Sequence, residues 1–248
     1  MTIVVQQNTN VPVIPEPNYG VGGLTFLQMV QRLRQESATS GAAPATTVNQ
    51  IGDVKRLIDW VSTAWMDIQN QKKDWFFMRQ PISFNTVAGQ QSYTAQQANI
   101  QSFGNYKRDS FRQYSLALGF GSEQRLNFIP YDTFRDMYQY ASMRTTSQLP
   151  VVFTIDPAKN FLLGPIPNDI YVVNGEGYAM PTEFINDNDR STMPSQYHMA
   201  IVWRALMYYG QYEAASEAFS HGQNEYNRLM NRLLDDQMPE VMFGAPLA

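Results

Sequence analysis

The chain has 248 residues, 44% of them hydrophobic, which is enough to bury the core of one large domain or two small ones. Its 18 basic and 22 acidic side chains give a formal charge of −4, which argues against the basic surface of a dedicated DNA-binding protein. It contains no cysteine and no apolar run near the roughly 20 residues of a membrane helix, so disulfides, thiolate chemistry and a membrane partner are not expected.

The first 23 residues are predicted to form an extended N-terminal arm (1–23). Three prolines and three glycines in this stretch leave no helical or strand periodicity that would bury one face. Five aliphatic side chains are candidates for short strand-like contacts with a neighbouring subunit: Ile3, Val4, Val5, Val11 and Val13. The alternative is a frayed terminus without such contacts.

Two amphipathic helices are predicted in 24–80, which is the first part of a helical bundle. The first helix opens at Thr25, whose hydroxyl forms a capping box with Gln28 three residues later. The second helix has apolar residues at spacings of three and four across 54–68, so one of its faces is predicted to be buried and the other exposed to solvent. Asp53 is the predicted N-cap of this second helix.

The hydrophobic period changes to two in 81–190, which predicts a mostly antiparallel β insertion. Ile82–Thr86 and Ser92–Thr94 are predicted to pair as a hairpin around the turn at 88–91. Further strand candidates are separated by Gly, Pro and Asn residues: 111–118, 125–129, 151–155, 160–163 and 169–175. A short helix at 132–141 is predicted to interrupt these strands.

The helical period returns in 191–236, the second part of the bundle, and predicts two helices that are separated by a break at Gly210. The last helix carries an apolar seam at alternating spacings of three and four, formed by Tyr212, Ala215, Phe219, Gly222, Tyr226, Leu229 and Leu233. The large side chains among them are the candidate inter-subunit or bundle contacts: Tyr212, Phe219, Tyr226, Leu229 and Leu233. This seam is predicted to pack along another helix. The pattern leaves open whether that helix belongs to the same subunit or to the next one.

The final segment, 237–248, is an apolar tail that is too short to build a core of its own. We expect it to dock onto a partner as an extended segment, and the alternative is that it folds back onto its own subunit. Its candidate contact residues are Met238, Pro239, Val241, Met242, Phe243 and Leu247.

No motif in the sequence carries catalytic, cofactor-binding or metal-binding chemistry. His198 and His221 lie on predicted helices without a nucleophile elbow, and we interpret both as hydrogen-bonded structural residues. The acidic cluster at 187–189 has the start of a calcium loop, but Thr192 stands where that loop needs glycine. The chain is therefore predicted not to be an enzyme and to need no cofactor.

The order of these elements resembles the head-to-tail adaptor proteins of tailed bacteriophages, the connector or head-completion subunits below the portal. The resemblance covers residues 24–248 and leaves the arm without a counterpart. It rests on LTFLQMVQRLR at 24–34, DWVSTAWMDIQ at 59–69 with Asp74-Trp75, FNTVAGQQSY at 84–93, LLGPIP at 162–167, YHMAIVWRALM at 197–207 and QMP at 237–239.

The resemblance implies an α+β fold and a place in the virion neck, with assembly in the host cytoplasm. The N- and C-terminal helices would form an antiparallel bundle, and copies of the chain would form a dodecameric ring on the portal. The six tail residues named above would contact the portal, and the ring would help to retain packaged DNA and carry the tail or the next neck protein. Double-stranded DNA would pass through its channel without specific binding, which the mildly acidic charge favours.

Two other functions fit parts of the sequence. A tail-side completion or tube-capping ring would share the low charged fraction of 16% and the need to oligomerise. A virion-associated enzyme that cleaves peptidoglycan would need acidic residues such as Glu183 or Glu213 in a substrate cleft. The partner protein distinguishes the first alternative, and activity on cell-wall substrate distinguishes the second.

Overall fold

The computed structural model describes residues 22–97 and 103–237 and has an α+β fold. Its α-helices are α1 Phe26–Glu36, α2 Gly52–Gln71, α3 Tyr131–Tyr138, α4 Met199–Tyr212 and α5 Ser216–Gln237. Its strands are β1 Arg79–Asn85, β2 Ser92–Tyr93, β3 Phe103–Tyr106, β4 Arg112–Ser115, β5 Gln124–Arg125, β6 Asn127–Phe128, β7 Ser147–Gln148, β8 Val152–Ile155, β9 Phe161–Gly164, β10 Ile166–Pro167 and β11 Tyr171–Ala179. Within the described residues, no helix is long and apolar enough to cross a membrane.

The helices α1, α2, α4 and α5 pack around one hydrophobic core, here called the helical core. α1 begins with the predicted capping box, in which the Gln28 amide donates to the Thr25 hydroxyl (3.3 Å) and the Thr25 amide donates to Gln28 Oε1 (2.9 Å). The prediction that Asp53 caps α2 is wrong, because Ile51 is the N-cap. Asp53 lies in the first turn, where its carboxylate accepts a hydrogen bond from Arg56 Nη1 at 3.1 Å.

Aromatic rings fill the part of the helical core that lies nearest the strands. Trp65 and Trp75 are fully buried, and the Trp65 ring centroid lies 6.0 Å from that of Phe77 and 5.8 Å from that of Phe184. The Trp75 indole N–H donates to the Ile68 carbonyl at 3.0 Å. These contacts connect α2 to the segments that lead into β1 and away from β11.

The two helices α4 and α5 approach each other closely at Gly210. α4 continues through this residue to Tyr212, so the predicted break at Gly210 is wrong. A Cβ atom at Gly210 would lie 2.7 Å from the Phe219 backbone nitrogen, and the missing side chain therefore allows the close approach. The turn comes at Ala214, with φ of 54°, and α5 begins at Ser216. Tyr212 consequently belongs to α4 and not to the last helix.

The β-rich region, residues 79–179, has two larger sheets around a second hydrophobic core. One sheet has the order β1-β11-β4-β5, with β3 also paired to β11, and the other has the order β2-β9-β8-β6. Most pairings are antiparallel, as predicted, although β6 and β8 are parallel and so are β7 and β10. Phe111, Phe153 and Phe161 meet at the centre with ring centroids 4.8 to 5.1 Å apart, and the rings of Phe153 and Phe161 are stacked.

The predicted hairpin between β1 and β2 is wrong, because β1 pairs with β11 and β2 pairs with β9. The chain turns at Gly89, which has φ of 82° and donates its N–H to the Pro167 carbonyl at 2.8 Å. The Tyr93 hydroxyl holds this turn, since it donates to the Gln90 carbonyl at 2.8 Å and accepts from the Val87 N–H at 3.0 Å. The two strands are thereby directed into different sheets.

Candidate functional site

Several of the predicted contact residues lie outside the part of the chain that the structure describes. They are the tail residues Met238, Pro239, Val241, Met242, Phe243 and Leu247 and the arm residues Ile3, Val4, Val5, Val11 and Val13. The described chain ends at Gln237, the last residue of α5, and begins at Gly22, beside the start of α1. Portal contact by the tail and strand-like contacts by the arm stay predictions.

The residues of the predicted seam lie in two places. Leu229 and Leu233 are buried in the helical core of the same chain. Tyr226 is half-buried and donates its hydroxyl hydrogen to Gln71 Oε1 at 3.2 Å, which joins α5 to the end of α2. Phe219 lies against Gly210 of α4, whereas Tyr212 is 53% exposed at the end of α4.

A polar cluster around Asp67 connects three helices. The Asp67 carboxylate of α2 accepts hydrogen bonds from Nε (3.1 Å) and Nη2 (2.8 Å) of Arg204 and from the Tyr208 hydroxyl, both on α4. Burial raises the pKa of Tyr208 to about 12, and the bond to Asp67 acts in the same direction. The Arg204 guanidinium also lies 5.7 Å from the Tyr226 ring of α5. This cluster was not predicted from the sequence, although Arg204 and Tyr208 have the i, i+4 spacing of one helix face.

Both histidines contact other residues of the folded chain. His198 is 3% exposed, and its Nε2 and Nδ1 atoms lie 2.9 Å from the Met193 carbonyl and 3.3 Å from the Leu24 carbonyl. Burial holds the pKa of His198 below its ordinary value, against the effect of these two carbonyls. His221 is exposed and lies edge-on to Trp203, with 5.1 Å between ring centroids. His198 therefore fixes the start of α1 against the start of α4.

The acidic loop before α4 uses its carboxylates to hold backbone. Asp187 accepts hydrogen bonds from the Thr47 N–H (2.6 Å) and hydroxyl (2.5 Å), and these bonds lower the pKa of Asp187. Asp189 accepts from the Ile185 and Asn186 N–H groups at 2.7 and 2.8 Å. In the described ranges, no group of three His, Asp or Glu side chains is arranged to hold a metal ion.

A pocket of about 300 Å³ lies between the C-terminal ends of α1 and α4 and the first turns of α2. We call it the aromatic pocket, because Trp60, Tyr209 and Tyr212 form its wall. The Trp60 ring centroid lies 6.1 Å from that of Tyr209 and 5.6 Å from that of Tyr212. The Arg56 guanidinium lies over the Tyr212 ring at 4.6 Å, and the Ala38–Ser40 loop closes the far side.

The β-rich region exposes a second apolar surface, which we call the apolar loop cluster. It lies where β1 and β4 end and β11 begins, since the Leu116 N–H donates to the Ile170 carbonyl at 3.1 Å and the Thr86 N–H donates to the Tyr171 carbonyl at 2.8 Å. Its members are Val87, Leu116, Leu118, Phe120 and Ile170, which are 42 to 77% exposed. Exposed apolar residues in such a group mark interaction surfaces. Periodicity did not reveal the cluster, because its residues come from loops that are distant in sequence.

Both surfaces present apolar or aromatic side chains to solvent. In the comparison with protein families, the sequence model of the family described as SU10 adaptor protein matches residues 24–248. The match covers nearly all of the described chain and the tail, and it omits the arm. No curated protein matches the chain.

Proposed function

We propose a role for this chain from the premise that it belongs to the SU10 adaptor protein family. Membership in a bacteriophage adaptor family supports a structural role in the virion neck, between head and tail. The observation that carries this conclusion is the match over residues 24–248, which spans the helices, the strands and the tail. We further propose that copies of the chain form a dodecameric ring, which docks onto the portal and helps to retain packaged DNA.

Two features of the molecule support a ring-forming binding protein. The helices and the strands have separate hydrophobic cores, so one part can pack around a channel while the other projects towards neighbours. We propose that the helices form the antiparallel bundle and that 81–190 is the insertion. The apolar loop cluster, whose members are 42 to 77% exposed, offers additional contact area, and repeated contacts in a ring make docking strong through avidity.

Co-expression with the portal protein of the same genome tests the proposal. The portal carries the purification tag, and the product is imaged by negative-stain electron microscopy. A two-tiered ring that contains this chain is the expected result. Portal rings alone, with this chain in the flow-through, would contradict portal docking and favour the tail-side ring.

The C-terminal tail supplies a sharper version of the same experiment. Replacing Val241, Met242 and Phe243 together by serine removes the apolar contacts that we propose for the portal, so the chain should no longer co-purify with it. The matched control is Glu240→Gln, which alters the tail without removing an apolar side chain and should leave co-purification intact. Deleting residues 239–248 should have the same effect as the serine variant. Full docking by the truncated chain would refute this role of the tail.

The enzymatic alternative has a direct test. Glu183 and Glu213 are both exposed, whereas a general acid for glycoside cleavage normally needs apolar surroundings that raise its pKa. Glu213 lines the aromatic pocket with Asp53, whose carboxylate is already bonded to Arg56. We expect no clearing of peptidoglycan in a zymogram. Clearing that disappears in Glu213→Gln would show that the chain is an enzyme.

A further inference from the structure

The aromatic pocket has the features of a groove that recognises a polyproline II helix. Such grooves are lined by aromatic rings, against which proline rings pack, and their polar rims orient the ligand. Here Trp60 and Tyr212 form the wall, and 53% of the Tyr212 side chain faces solvent. Asp53, Arg56 and Glu213 provide the polar rim.

A matching ligand lies in the chain's own arm. Residues 11–17 read VPVIPEP, so Pro12 and Pro15 are three residues apart. Because a polyproline II helix has three residues per turn, these two prolines fall on the same face. A proline ring fixes its own φ near the value of a polyproline II helix, which lowers the entropy lost on binding in that conformation.

The arm is long enough to reach the pocket of the same chain. It joins the described residues at Gly22, beside the N-terminal ends of α1 and α4, where the Leu24 carbonyl meets His198. The pocket lies at the opposite ends of these helices, about 16 to 21 Å away at 1.5 Å per residue. The seven steps of the chain from Pro15 to Gly22 span about 22 Å at 3.1 Å per residue. Pro15 can therefore lie in the pocket without strain.

Glu16 of the arm has a candidate cationic partner at the pocket in Arg56, which lies there beside the carboxylates of Asp53 and Glu213. Glu16 is the only charged side chain in residues 1–23, and it stands between Pro15 and Pro17. Among the described residues, the Arg56 guanidinium at the pocket pairs with the Asp53 carboxylate, and both side chains of this pair are largely exposed at 48% and 80%. An exposed pair of this kind contributes little, so Arg56 can also donate hydrogen bonds to a second carboxylate.

From these observations we propose that residues 11–17 bind as a polyproline II helix in the aromatic pocket of the same chain. Pro12 and Pro15 pack against Trp60 and Tyr212, and Glu16 lies beside Arg56. The intramolecular arrangement follows from the tether, which gives the segment an effective concentration in the millimolar range. This interaction goes beyond the adaptor role and does not depend on it.

Disulfide trapping in the full-length chain tests the contact, because the chain has no cysteine of its own. Val13→Cys is combined with Ser40→Cys at the pocket, or with Ser220→Cys as the matched control. Ser220 is also an exposed serine and lies on α5 next to Phe219, which packs on Gly210 near the same end of α4, but it is outside the pocket lining. Under mild oxidation we expect the Ser40 pair to close at least tenfold faster and to give a monomeric product on a non-reducing gel. Equal rates for the two pairs, or a mainly dimeric product, would overturn the proposal.

Further substitutions in the chain that carries Val13→Cys and Ser40→Cys show which side chains hold residues 11–17. Tyr212→Ala should slow closure about tenfold, whereas Tyr140→Ala, at a tyrosine that is 56% exposed elsewhere, should not change it. Glu16→Arg should also slow closure, and adding Arg56→Glu to that variant should restore it. Melting temperatures near that of the parent confirm that each variant is folded. A closure rate that changes with neither Tyr212→Ala nor Glu16→Arg would contradict binding in the aromatic pocket.

Discussion

His198 is a buried imidazole with a backbone carbonyl near each ring nitrogen. A neutral imidazole has one N–H and donates to one of the two carbonyls, whereas the protonated ring can donate to both. Burial, together with the positive charge of Arg190, keeps the pKa below its ordinary value, so the ring enters the folded state uncharged. The protonation equilibrium of this ring therefore affects how strongly Leu24, and with it the start of α1, is held against α4.

This balance predicts a pH dependence of stability. Since the pKa of His198 is lower in the folded chain than in the unfolded chain, the unfolded chain binds the proton first as the pH falls below about 6.5. The contribution of His198 to the free energy of unfolding is therefore complete at pH 8 and decreases as the pH falls through the interval between the two pKa values. His198→Gln should cost about 1 to 3 kcal/mol at pH 8 through the loss of buried hydrogen bonds.

Urea unfolding of the parent and of His198→Gln at pH 8 and pH 5 measures this effect. The difference between the two proteins should become smaller at pH 5. His221→Gln is the control, because that histidine is exposed. A difference that grows towards pH 5 would mean that the folded chain favours the protonated ring, with both carbonyls accepting hydrogen bonds.

Among the elements, the contact between α4 and α5 depends on a glycine that the sequence analysis interpreted as a helix break. Gly210→Ala should destabilise the chain by about 1 to 3 kcal/mol, because the added methyl group would lie 2.7 Å from the Phe219 backbone nitrogen. This cost exceeds the gain of about 1 kcal/mol that alanine normally brings inside a helix. The free energy of unfolding from urea titration measures it.

Gly121→Ala is the matched control for this substitution. Gly121 has no heavy atom within 4 Å of the position of an added Cβ, and its φ is not in the left-handed region. Its substitution should change stability by less than about 1 kcal/mol. If Gly210→Ala stabilised the chain instead, α4 and α5 would have to be further apart than described.

The helices were more accessible to sequence reasoning than the strand pairings. The capping box at Thr25 and the apolar stripe of α2 are local signals, and both were predicted with the right partners. The pairing of β1 with β11 joins residues about 90 positions apart in sequence, and period-two patterning gives no information on such partners. Tyr212 was assigned to the wrong helix because its spacing to Phe219 continues the heptad across a turn.

The candidate sites, too, combine local signals that the sequence shows with contacts between distant residues that it does not show. The proline-rich segment is visible in the sequence, but its pocket is built from α1, α2 and α4 and becomes apparent only when Trp60 and Tyr212 are brought together. The adaptor family was identified from the order of elements and from local segments, and the family match over residues 24–248 confirms it. The proposed contact of the tail with the portal stays a prediction, because the tail lies outside the described residues.

For the whole molecule, the main question is whether the helical core and the β-rich region unfold together. Gln69 of α2 provides a specific link between them. Its side-chain amide donates to the Thr182 carbonyl at 2.9 Å and accepts from the Thr182 N–H at 3.0 Å, and Gln69 is 2% exposed. Thr182 follows β11, so this pair fixes the central strand of one sheet to the helices. We expect cooperative unfolding of the parent chain as a result.

The distribution of tryptophan makes this expectation measurable. All four tryptophans, Trp60, Trp65, Trp75 and Trp203, lie in or against the helical core, whereas far-ultraviolet circular dichroism reports on both helices and strands. In the parent, the two signals should change at the same urea concentration.

Gln69→Ala leaves the backbone groups of Thr182 without their partner and should lower the fluorescence midpoint while separating the two transitions. Asn70→Ala is the control, since Asn70 is exposed and donates to the Met66 carbonyl of the same helix at 2.8 Å. Separate transitions in the parent itself would show that the two cores unfold independently. Coincident transitions in Gln69→Ala would show that the aromatic contacts around Trp65 and Phe184 are sufficient to couple the two cores.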